Sequence, residues 1–306
     1  MGYTKGFKWA EKPNNRLKEL SLLGIGVSAL ARILSKEFNC DINRKMVEQA
    51  KYRLGVSSFM LEVDSKMKTY KQLTLPMDNY IITCDYHSPY HSEVWINRTL
   101  AIAEKFKVKK HIIIGDLFDF NALKYFTVDD GGPKRDLDKE ISQTDPVIKA
   151  LDYFDENVLV CGNHERRVGM KTDSMIQARH LFGLYGGGIW NRKFKYSVYD
   201  KLFIGKDWMV VHPRSYSQVS TSVAKRLAEK YHKNIINSHG HFVGMTYDRS
   251  GKFLAIDLGG MFDVKKVDYI NLQTTTHPLW RDGFGMLYNE HFYHFTDETD
   301  WSWWLK

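Results

Sequence analysis

The sequence has little of several features that mark particular protein classes. Its three cysteines, Cys40, Cys84 and Cys161, are too few and too far apart for a disulfide framework or a cysteine zinc site. No apolar run approaches the roughly 18 residues that a membrane span needs, and the N-terminus lacks the apolar block of a secretory signal peptide. These absences predict a cytoplasmic protein with no membrane partner.

Positive charge is concentrated in the first quarter of the chain. The net charge is +8, and residues 1–75 carry 14 basic and 7 acidic residues, against 30 and 29 in the remainder. Because electrostatic affinity for phosphates depends on where the charge lies, this region could bind a polyanion. The length of 306 residues can hold two domains, which we place at residues 1–75 and 76–306.

Helical periodicity characterises residues 16–55, after a loose basic arm at residues 1–15. The pattern predicts three short helices, with Asn43 as the N-cap of the third. This is the layout of a helix-turn-helix unit, whose third helix can contact DNA. A docking or dimerisation module fits the same pattern. The candidate nucleic-acid contacts are the basic residues of the third helix, Arg44, Lys45, Lys51 and Arg53.

From Asn79 onward, short apolar runs alternate with helical stretches, which indicates an α/β or α+β domain. Five of these runs end at residues that can bind a metal. In α/β sheets, ligands gather beyond the carboxyl ends of strands, so five such strands could build one cluster. The residues after the five runs are Asp85 and His87, Asp116, Asn163, His212, and His239 and His241.

Oxygen and imidazole ligands of this kind suit divalent first-row metals, and a pair of ions needs a carboxylate to bridge them. Two ions about 3.5–4 Å apart would clamp a phosphoryl group, and a water bridging them would lose its proton near neutral pH and attack phosphorus in line. The leaving oxygen then needs an acid. His164, held by a carboxylate such as Asp119, is the candidate, because imidazole titrates near physiological pH.

Five ordered blocks resemble the signature of the calcineurin-like metallophosphoesterases: Asp85-Tyr86-His87, Gly115-Asp116-Leu117-Phe118-Asp119, Gly162-Asn163-His164-Glu165, His212 and His239-Gly240-His241. The resemblance covers the chain from about Asn79 to the middle 260s. It implies a metal-dependent phosphoric ester hydrolase with a four-layer αββα sandwich, in which two sheets carry helices outside. It also implies two divalent ions, Mn²⁺ first, with Fe, Zn, Ni, Co or Mg as alternatives.

The same resemblance implies a role for each matching residue. Seven residues would bind metal and two would serve acid catalysis. The implied roles are Asp85, His87 and His241 for the first metal, Asn163, His212 and His239 for the second, Asp116 as the bridge, His164 as the acid and Asp119 as its orienter.

Two departures argue against a dedicated protein phosphatase. Phe120 stands where that branch has an arginine that grips phosphate, and His212 is followed by Pro-Arg where many relatives have His-Gly. Gripping of phosphate would then fall to the metals or to Arg166, Arg167 or Arg214. Residues 120–145 are interpreted as an inserted loop, which at such a rim usually selects the substrate.

The leading hypothesis is a phosphoesterase that acts on a phosphodiester in nucleic acid or on a nucleotide, similar to small phage phosphoesterases and nucleases, in which case it works in the host cytoplasm. The alternative is a phosphomonoesterase whose N-terminal helices only dock or dimerise. A DNA-binding protein with a vestigial site is the third hypothesis, disfavoured because every implied ligand is present. The sequence leaves oligomeric state open.

Overall fold

The computed structural model describes residues 9–22, 27–54, 72–123, 136–173, 175–184, 189–267 and 279–306. The chain divides into two compact units, Met1–Lys71 and Gln72–Lys306. This division precedes the expected boundary at residue 75, because the strand Thr74–Leu75 pairs with a strand of the second unit. Within the described residues, no helix is long and apolar enough to cross a membrane.

The described part of the first unit consists of three helices around a small core. Leu17, Leu30 and Val47 are among the fully buried side chains of this core. Asn43 caps the third helix as expected, since its side-chain oxygen accepts a hydrogen bond from the backbone amide of Met46 over 3.0 Å. The helices are α1 (Glu11–Leu22), α2 (Val27–Glu37) and α3 (Arg44–Arg53).

The first helix begins earlier than the sequence pattern predicted. α1 starts at Glu11, so the expected loose arm at residues 1–15 is wrong for its last five residues. An acidic residue in the first turn favours this earlier start, because it complements the positive end of the helix dipole. The first eight residues of that arm lie outside the described residues.

The second unit is built on two six-stranded mixed sheets. The strand orders are β1-β6-β7-β8-β10-β9 in the first sheet and β12-β11-β2-β3-β4-β5 in the second. The strands are β1 (Thr74–Leu75), β2 (Tyr80–Cys84), β3 (Lys110–Ile114), β4 (Glu156–Val160), β5 (Phe194–Ser197), β6 (Lys201–Ile204), β7 (Trp208–Val211), β8 (Asn234–Asn237), β9 (Val243–Tyr247), β10 (Leu254–Leu258), β11 (Gly283–Tyr288) and β12 (His291–Thr296).

Apolar side chains separate the unit into layers. Ile82 and Ile112 of the second sheet pack with Val210 and Ile236 of the first in one core. Helices cover the outer faces, so the αββα sandwich expected from the resemblance is confirmed. The helices are α4 (Glu93–Lys105), α5 (Leu137–Ala150), α6 (Glu165–Lys171), α7 (Ala178–Leu181), α8 (Ile189–Lys193), α9 (Ser222–Tyr231) and α10 (Trp301–Trp304).

Parallel pairing brings the motif-bearing strands to common edges. β2, β3 and β4 are mutually parallel in one sheet, and β7 and β8 are parallel in the other. Their buried, apolar residues suit strands covered on both faces. The carboxyl ends of parallel strands lie at the same edge, so the polar residues that follow them meet there.

The insertion expected at residues 120–145 is not all loop. Helix α5 begins at Leu137, after Asp136, whose side chain accepts a hydrogen bond from the backbone amide of Lys139 over 3.0 Å. Val147 and Ile148 bury the helix against the core. A cap followed by an apolar face therefore makes the part from Leu137 onward helical, while residues 124–135 lie outside the described residues.

Candidate two-metal site

Ligand-type side chains converge beyond the carboxyl ends of these strands. Asp85 follows β2, Asp116 follows β3 and His212 follows β7. The turns are sharp, with φ of 48° at Asp85, 49° at Asp116 and 76° at His239. Left-handed backbone at residues other than glycine costs free energy and concentrates at functional sites. The rest of the fold must therefore stabilise these turns, because an ordinary loop conformation would cost less free energy at the same residues.

The first group of ligand-type atoms consists of one carboxylate oxygen and two ring nitrogens. His87 Nε2 lies 3.2 Å from His241 Nε2, and His241 Nε2 lies 3.3 Å from Asp85 Oδ1. His87 Nε2 is 3.8 Å from the same oxygen. All three side chains are buried. The structure thus brings together the residues expected to hold the first metal.

The second group lies around His212. His212 Nε2 is 2.8 Å from Asn163 Oδ1 and 3.4 Å from Asp116 Oδ2. One ligand atom each of Asp116, His212 and His239 lie within 4.8 Å of one another. The His212 ring is oriented by Ile114, whose backbone oxygen is 3.0 Å from Nδ1. The residues expected to hold the second metal are therefore also together.

Asp116 lies between the two groups. Its Oδ2 is 4.0 Å from His87 Nε2 and 3.4 Å from His212 Nε2. Its other oxygen accepts a hydrogen bond from the backbone amide of His164 over 2.9 Å, which fixes the carboxylate plane. One carboxylate thus reaches both groups, as a bridging ligand must.

The donor set fits divalent cations. Asp85 Oδ1 is buried without a hydrogen bond of good geometry, which is costly unless a cation approaches it. His87 Nε2 and His241 Nε2 face each other, and a hydrogen bond between them needs a proton on one of the two nitrogens. A metal ion could instead accept the lone pairs of both nitrogens. Two ring nitrogens and carboxylate oxygens around one point suit a first-row divalent metal. The buried groups could bind two metal ions.

The charges of the second group depend on one another. Burial acts to raise the pKa of the Asp116 carboxyl, but the imidazoles of His164 and His212 outweigh it and hold that pKa well below its usual range. Burial lowers the pKa of His212, yet the Asp116 carboxylate prevails and raises it to about 10. Burial and the neighbouring His212 lower the pKa of His239 to about 4. A metal at His212 would therefore displace a proton.

His164 and Asp119 are in contact, as the sequence led us to expect. His164 Nδ1 lies 2.8 Å from the backbone oxygen of Asp119 and 3.2 Å from its Oδ1. The same Oδ1 is 3.1 Å from His87 Nδ1. Asp119 therefore orients both a candidate metal ligand and the candidate acid. His164 Nε2 is directed towards the metal-binding groups, 3.8 Å from Asp116 Oδ2.

Glu165 connects two turns of the site through hydrogen bonds, a role that its sequence position alone did not predict. Its buried carboxylate accepts hydrogen bonds from the backbone amides of Asp116 and Gly162, each over 2.9 Å, and of Phe118 over 3.3 Å. It ties together the turns after β3 and β4. Burial and the nearby Asp116 raise the pKa of Glu165 to about 7. Its place beside His164 in a motif block was the only sequence signal.

The three candidate phosphate-binding arginines occupy different surroundings. Arg167 donates hydrogen bonds to the backbone oxygen of Asp119 over 2.6 Å and to His164 Nε2 over 2.8 Å. Arg166 is half-buried and Arg214 is exposed. Only Arg167 is in direct contact with the acid candidate among these arginines.

The candidate nucleic-acid contacts of the first unit are at the helix surface. Lys45 and Arg53 are exposed on α3, and Lys51 is half-buried. Arg44 is exposed and pairs with Glu48 over 2.8 Å. The structure thus leaves positive charge on this helix, and nucleic-acid binding there stays a prediction.

Comparison with known proteins gives similarity only at the level of solved structures. No family model and no curated protein matches the chain. One similar structure is YfcE, a phosphoesterase from E. coli, at 12% identity over 69% of this chain and 89% of that one, with a TM-score of 0.34. Another is the Pseudomonas putida nuclease MPE, at 13% identity over 70% and 86% of the two chains, with a TM-score of 0.31.

The fold and the site agree with what the sequence resemblance predicted. Two sheets with helices outside and paired His/Asp groups at the strand ends are the architecture that the resemblance to the metallophosphoesterases predicted. Two divalent ions held by such groups could polarise a phosphoryl oxygen and activate a water, so the site is chemically suited to metal-dependent hydrolysis.

Proposed function

We propose that the protein is a two-metal phosphoesterase that hydrolyses a phosphodiester in nucleic acid or in a nucleotide. The observation that carries the proposal is the position of Asp116 Oδ2, 4.0 Å from His87 Nε2 and 3.4 Å from His212 Nε2. When bound, two divalent ions, Mn²⁺ first, supply Lewis-acid stabilisation of the phosphoryl oxygens and lower the pKa of the attacking water.

The protein's own residues bind, orient and move a proton. The low pKa of Asp116 keeps it anionic and able to bridge. His164 Nε2 would deliver the proton that the leaving oxygen takes once Arg167 releases that nitrogen, and Asp119 holds the ring through Nδ1. The proposed ligands are Asp85, His87 and His241 for one ion, and Asn163, His212 and His239 for the other, with Asp116 shared.

Phe120 supports a substrate other than a phosphoprotein. Its side chain is fully buried and packs on Phe118, with ring centroids 5.2 Å apart, so it offers nothing to a phosphate. Basic residues of α3 would supply sequence-independent affinity for a nucleic-acid backbone. A DNA-binding protein with a vestigial site is disfavoured, because two complete ligand groups would have no purpose in it.

The decisive experiment is Mn²⁺-supplemented hydrolysis of nitrophenyl phosphate, bis-nitrophenyl phosphate, and labelled single- and double-stranded DNA. We expect turnover of the diester and of DNA, and a loss of more than about 100-fold in Asp116→Asn, since even outer-sphere groups of metal sites are worth 10- to 100-fold. Asp207→Asn, at an exposed carboxylate, is the matched control and should retain activity.

Other outcomes would redirect the assignment. Turnover of the monoester alone would make the protein a phosphatase, with its N-terminal helices as a docking or dimerisation module. Tight DNA binding without turnover of any substrate would make it a binding protein.

A further inference from the structure

A groove of about 480 Å³ lies between helix α9 and the far end of the edge strand β9. α9 supplies one wall through its first turns, and the end of β9 with the turn after it supplies the other. The side chains that matter for its chemistry are Val219, Ser220, Lys225, Arg226, Tyr247 and Arg249.

The groove is lined by three cations, Lys225, Arg226 and Arg249, and by two carboxylates, Glu229 and Asp248, so its net charge is +1. Among the described residues, neither Lys225 nor Arg226 forms an ion pair, while Arg249 is almost fully exposed and only 3.7 Å from Glu229. Asp248 stays anionic, because its carboxylate accepts hydrogen bonds from Ser250 and from the backbone of the turn after it, which directs its oxygens into that turn. An anionic ligand would therefore find two cations, Lys225 and Arg226, on the α9 wall of the groove without an ion-pair partner in the described part of the chain.

Exposed apolar and aromatic side chains lie among these cations. Tyr247 is 55% exposed and Val219 is 69% exposed. Exposed aromatic rings interleaved with cations are the usual equipment for binding unpaired nucleic-acid strands, because bases stack on the rings while Lys and Arg track the phosphates.

A loop that is anchored by hydrogen bonds at its end connects the groove to the candidate metal-binding site. Tyr216, 60% exposed, places its ring edge-on to that of His239, with centroids 6.4 Å apart. The chain then continues to Ser220, whose hydroxyl donates to the Val243 backbone oxygen over 3.1 Å. Thr221 fixes the end of the loop, since its backbone amide donates a hydrogen bond to the buried Asp257.

Glycine at position 244 allows the loop to pack closely on β9. A Cβ there would overlap Ser220 Oγ, so that hydroxyl would have to move from its present position. Val243 follows the ligand His241 by two residues, and Tyr247 lies four residues further along β9, about 13 Å at the rise of a strand. Tyr216 and Val219 thus lie on the stretch of chain between the candidate metal-binding site and the groove.

We propose that this groove binds the single-stranded part of a nucleic-acid substrate that extends from the scissile phosphate, with phosphates on Lys225 and Arg226 and bases on Tyr216 and Tyr247. This inference rests on the proposed function and names its substrate as an unpaired strand. The unpaired cations favour a nucleic acid over a protein strand added to the edge of β9, which would need only backbone groups and pockets.

The test is binding of a fluorescent 12-nucleotide single strand to the full chain in EDTA, by anisotropy across a salt series. Lys225→Gln/Arg226→Gln should reduce the slope of log affinity against log salt by about 1.4, since each strand phosphate contact contributes about 0.7. Tyr247→Ala should weaken binding about 5-fold or more.

The control is Lys206→Gln/Lys230→Gln, which removes the same charge outside the groove and should change neither the salt slope nor the affinity for the strand. Unchanged thermal unfolding excludes misfolding.

A second readout does not depend on affinity. A strand that carries 5-iodouracil should crosslink under light to the peptides that contain Tyr216 or Tyr247. Crosslinks confined to other peptides, or equal salt slopes in the groove and control variants, would overturn the inference. A change of Tyr247→Ala from dimer to monomer in sedimentation, with strand binding intact, would overturn it in favour of a second copy of the chain.

Failure of this inference and failure of the proposed function look different. If wild-type protein with Mn²⁺ hydrolyses bis-nitrophenyl phosphate but the groove variants bind the strand normally, the groove inference alone is lost. If wild-type protein hydrolyses no diester, the proposed function itself is wrong, whatever the groove binds.

Discussion

Arg167 donates a hydrogen bond from Nη2 to Nε2 of His164 over 2.8 Å. A guanidinium can only donate, so the ring nitrogen that faces the metal-binding groups accepts here and the ring proton is on Nδ1. Nη1 of the same arginine donates to the backbone oxygen of Asp119 over 2.6 Å. Arg167 thus spans the acid candidate and its orienter, and it must release Nε2 before that atom can carry a proton to a leaving group.

His164→Ala should slow esters with poor leaving groups by about 10²- to 10⁴-fold, the usual contribution of general acid catalysis. Nitrophenyl esters should slow much less, because nitrophenolate leaves without a proton. The measurement is kcat for bis-nitrophenyl phosphate and for a dinucleotide with Mn²⁺. An equal effect on both substrates would remove His164 from the role of acid.

Arg167→Lys should have the same selective effect as His164→Ala, but a smaller one. The guanidinium also holds the Asp119 backbone oxygen that positions His164, and a lysine cannot hold both groups in one geometry. We expect kcat for the dinucleotide to fall about 10-fold with little change for the nitrophenyl diester. If Arg167 acts through His164, its substitution in a His164→Ala background should cost almost nothing more. Additive losses would show that Arg167 binds substrate independently of His164.

Glu165→Gln should loosen the turns after β3 and β4, which carry the candidate ligands Asp116 and Asn163. Its carboxylate accepts hydrogen bonds from three backbone amides, and an amide side chain would turn a donor towards at least one of them. We expect a loss of about 1–3 kcal/mol in the free energy of unfolding and a 10- to 100-fold weaker affinity for Mn²⁺. Chemical denaturation and metal titration measure the two effects separately.

Glu140→Gln is the matched control for that prediction. Glu140 is also buried and accepts hydrogen bonds from two backbone amides, those of Asn121 and Ala122, each over 3.2 Å. Its substitution should lower stability without weakening Mn²⁺ binding. If both variants weaken the metal equally, Glu165 acts only through global stability.

Acid should destabilise the fold through His111. This ring is buried between Thr83 and Asn157, each 2.7 Å away, and stacks on Phe154. Burial lowers its pKa to about 4. The unfolded chain takes up this proton near pH 6.5, so stability is present above that pH and is lost as pH falls towards 4. At pH 5 the loss from this group is about 2 kcal/mol.

Urea unfolding in EDTA at pH 7.5 and pH 5 measures this effect. His111→Gln removes the titrating group and keeps polar contact with Thr83 and Asn157 possible. The variant should lose about 2 kcal/mol less than the wild type between the two pH values. Identical losses would place the acid sensitivity in other groups.

The convergence of the candidate ligands at the strand ends was predictable, because the order of the strands in the sequence and their parallel direction determine where those residues lie. Parallel strands such as β2 and β3 must place the residues that follow them at one edge, so Asp85 and Asp116 could be brought together from the motif spacing. The apolar runs likewise indicated the layers. The start of α1 at Glu11 was missed because fraying ends carry a weak periodic signal.

Contacts between side chains and backbone could not be read from the sequence. Glu165 acts by accepting hydrogen bonds from amides of other turns, and any residue type supplies such an amide. The hydrogen bond from Arg167 to His164 depends on one helical turn in α6 bringing the two side chains together. The groove beside α9 joins residues of separate elements, which no local pattern connects.

Duplex DNA binding through α3 is the remaining prediction. Lys45→Gln/Arg53→Gln should lower the slope of log affinity against log salt by about 1.8, because each duplex phosphate contact contributes about 0.9. Arg44 is left in place, since it already pairs with Glu48. Lys18→Gln/Lys36→Gln removes two exposed charges from the other helices and serves as the control. If both variants lower the slope equally, α3 contributes only net charge, and the three helices are better explained as a docking or dimerisation module.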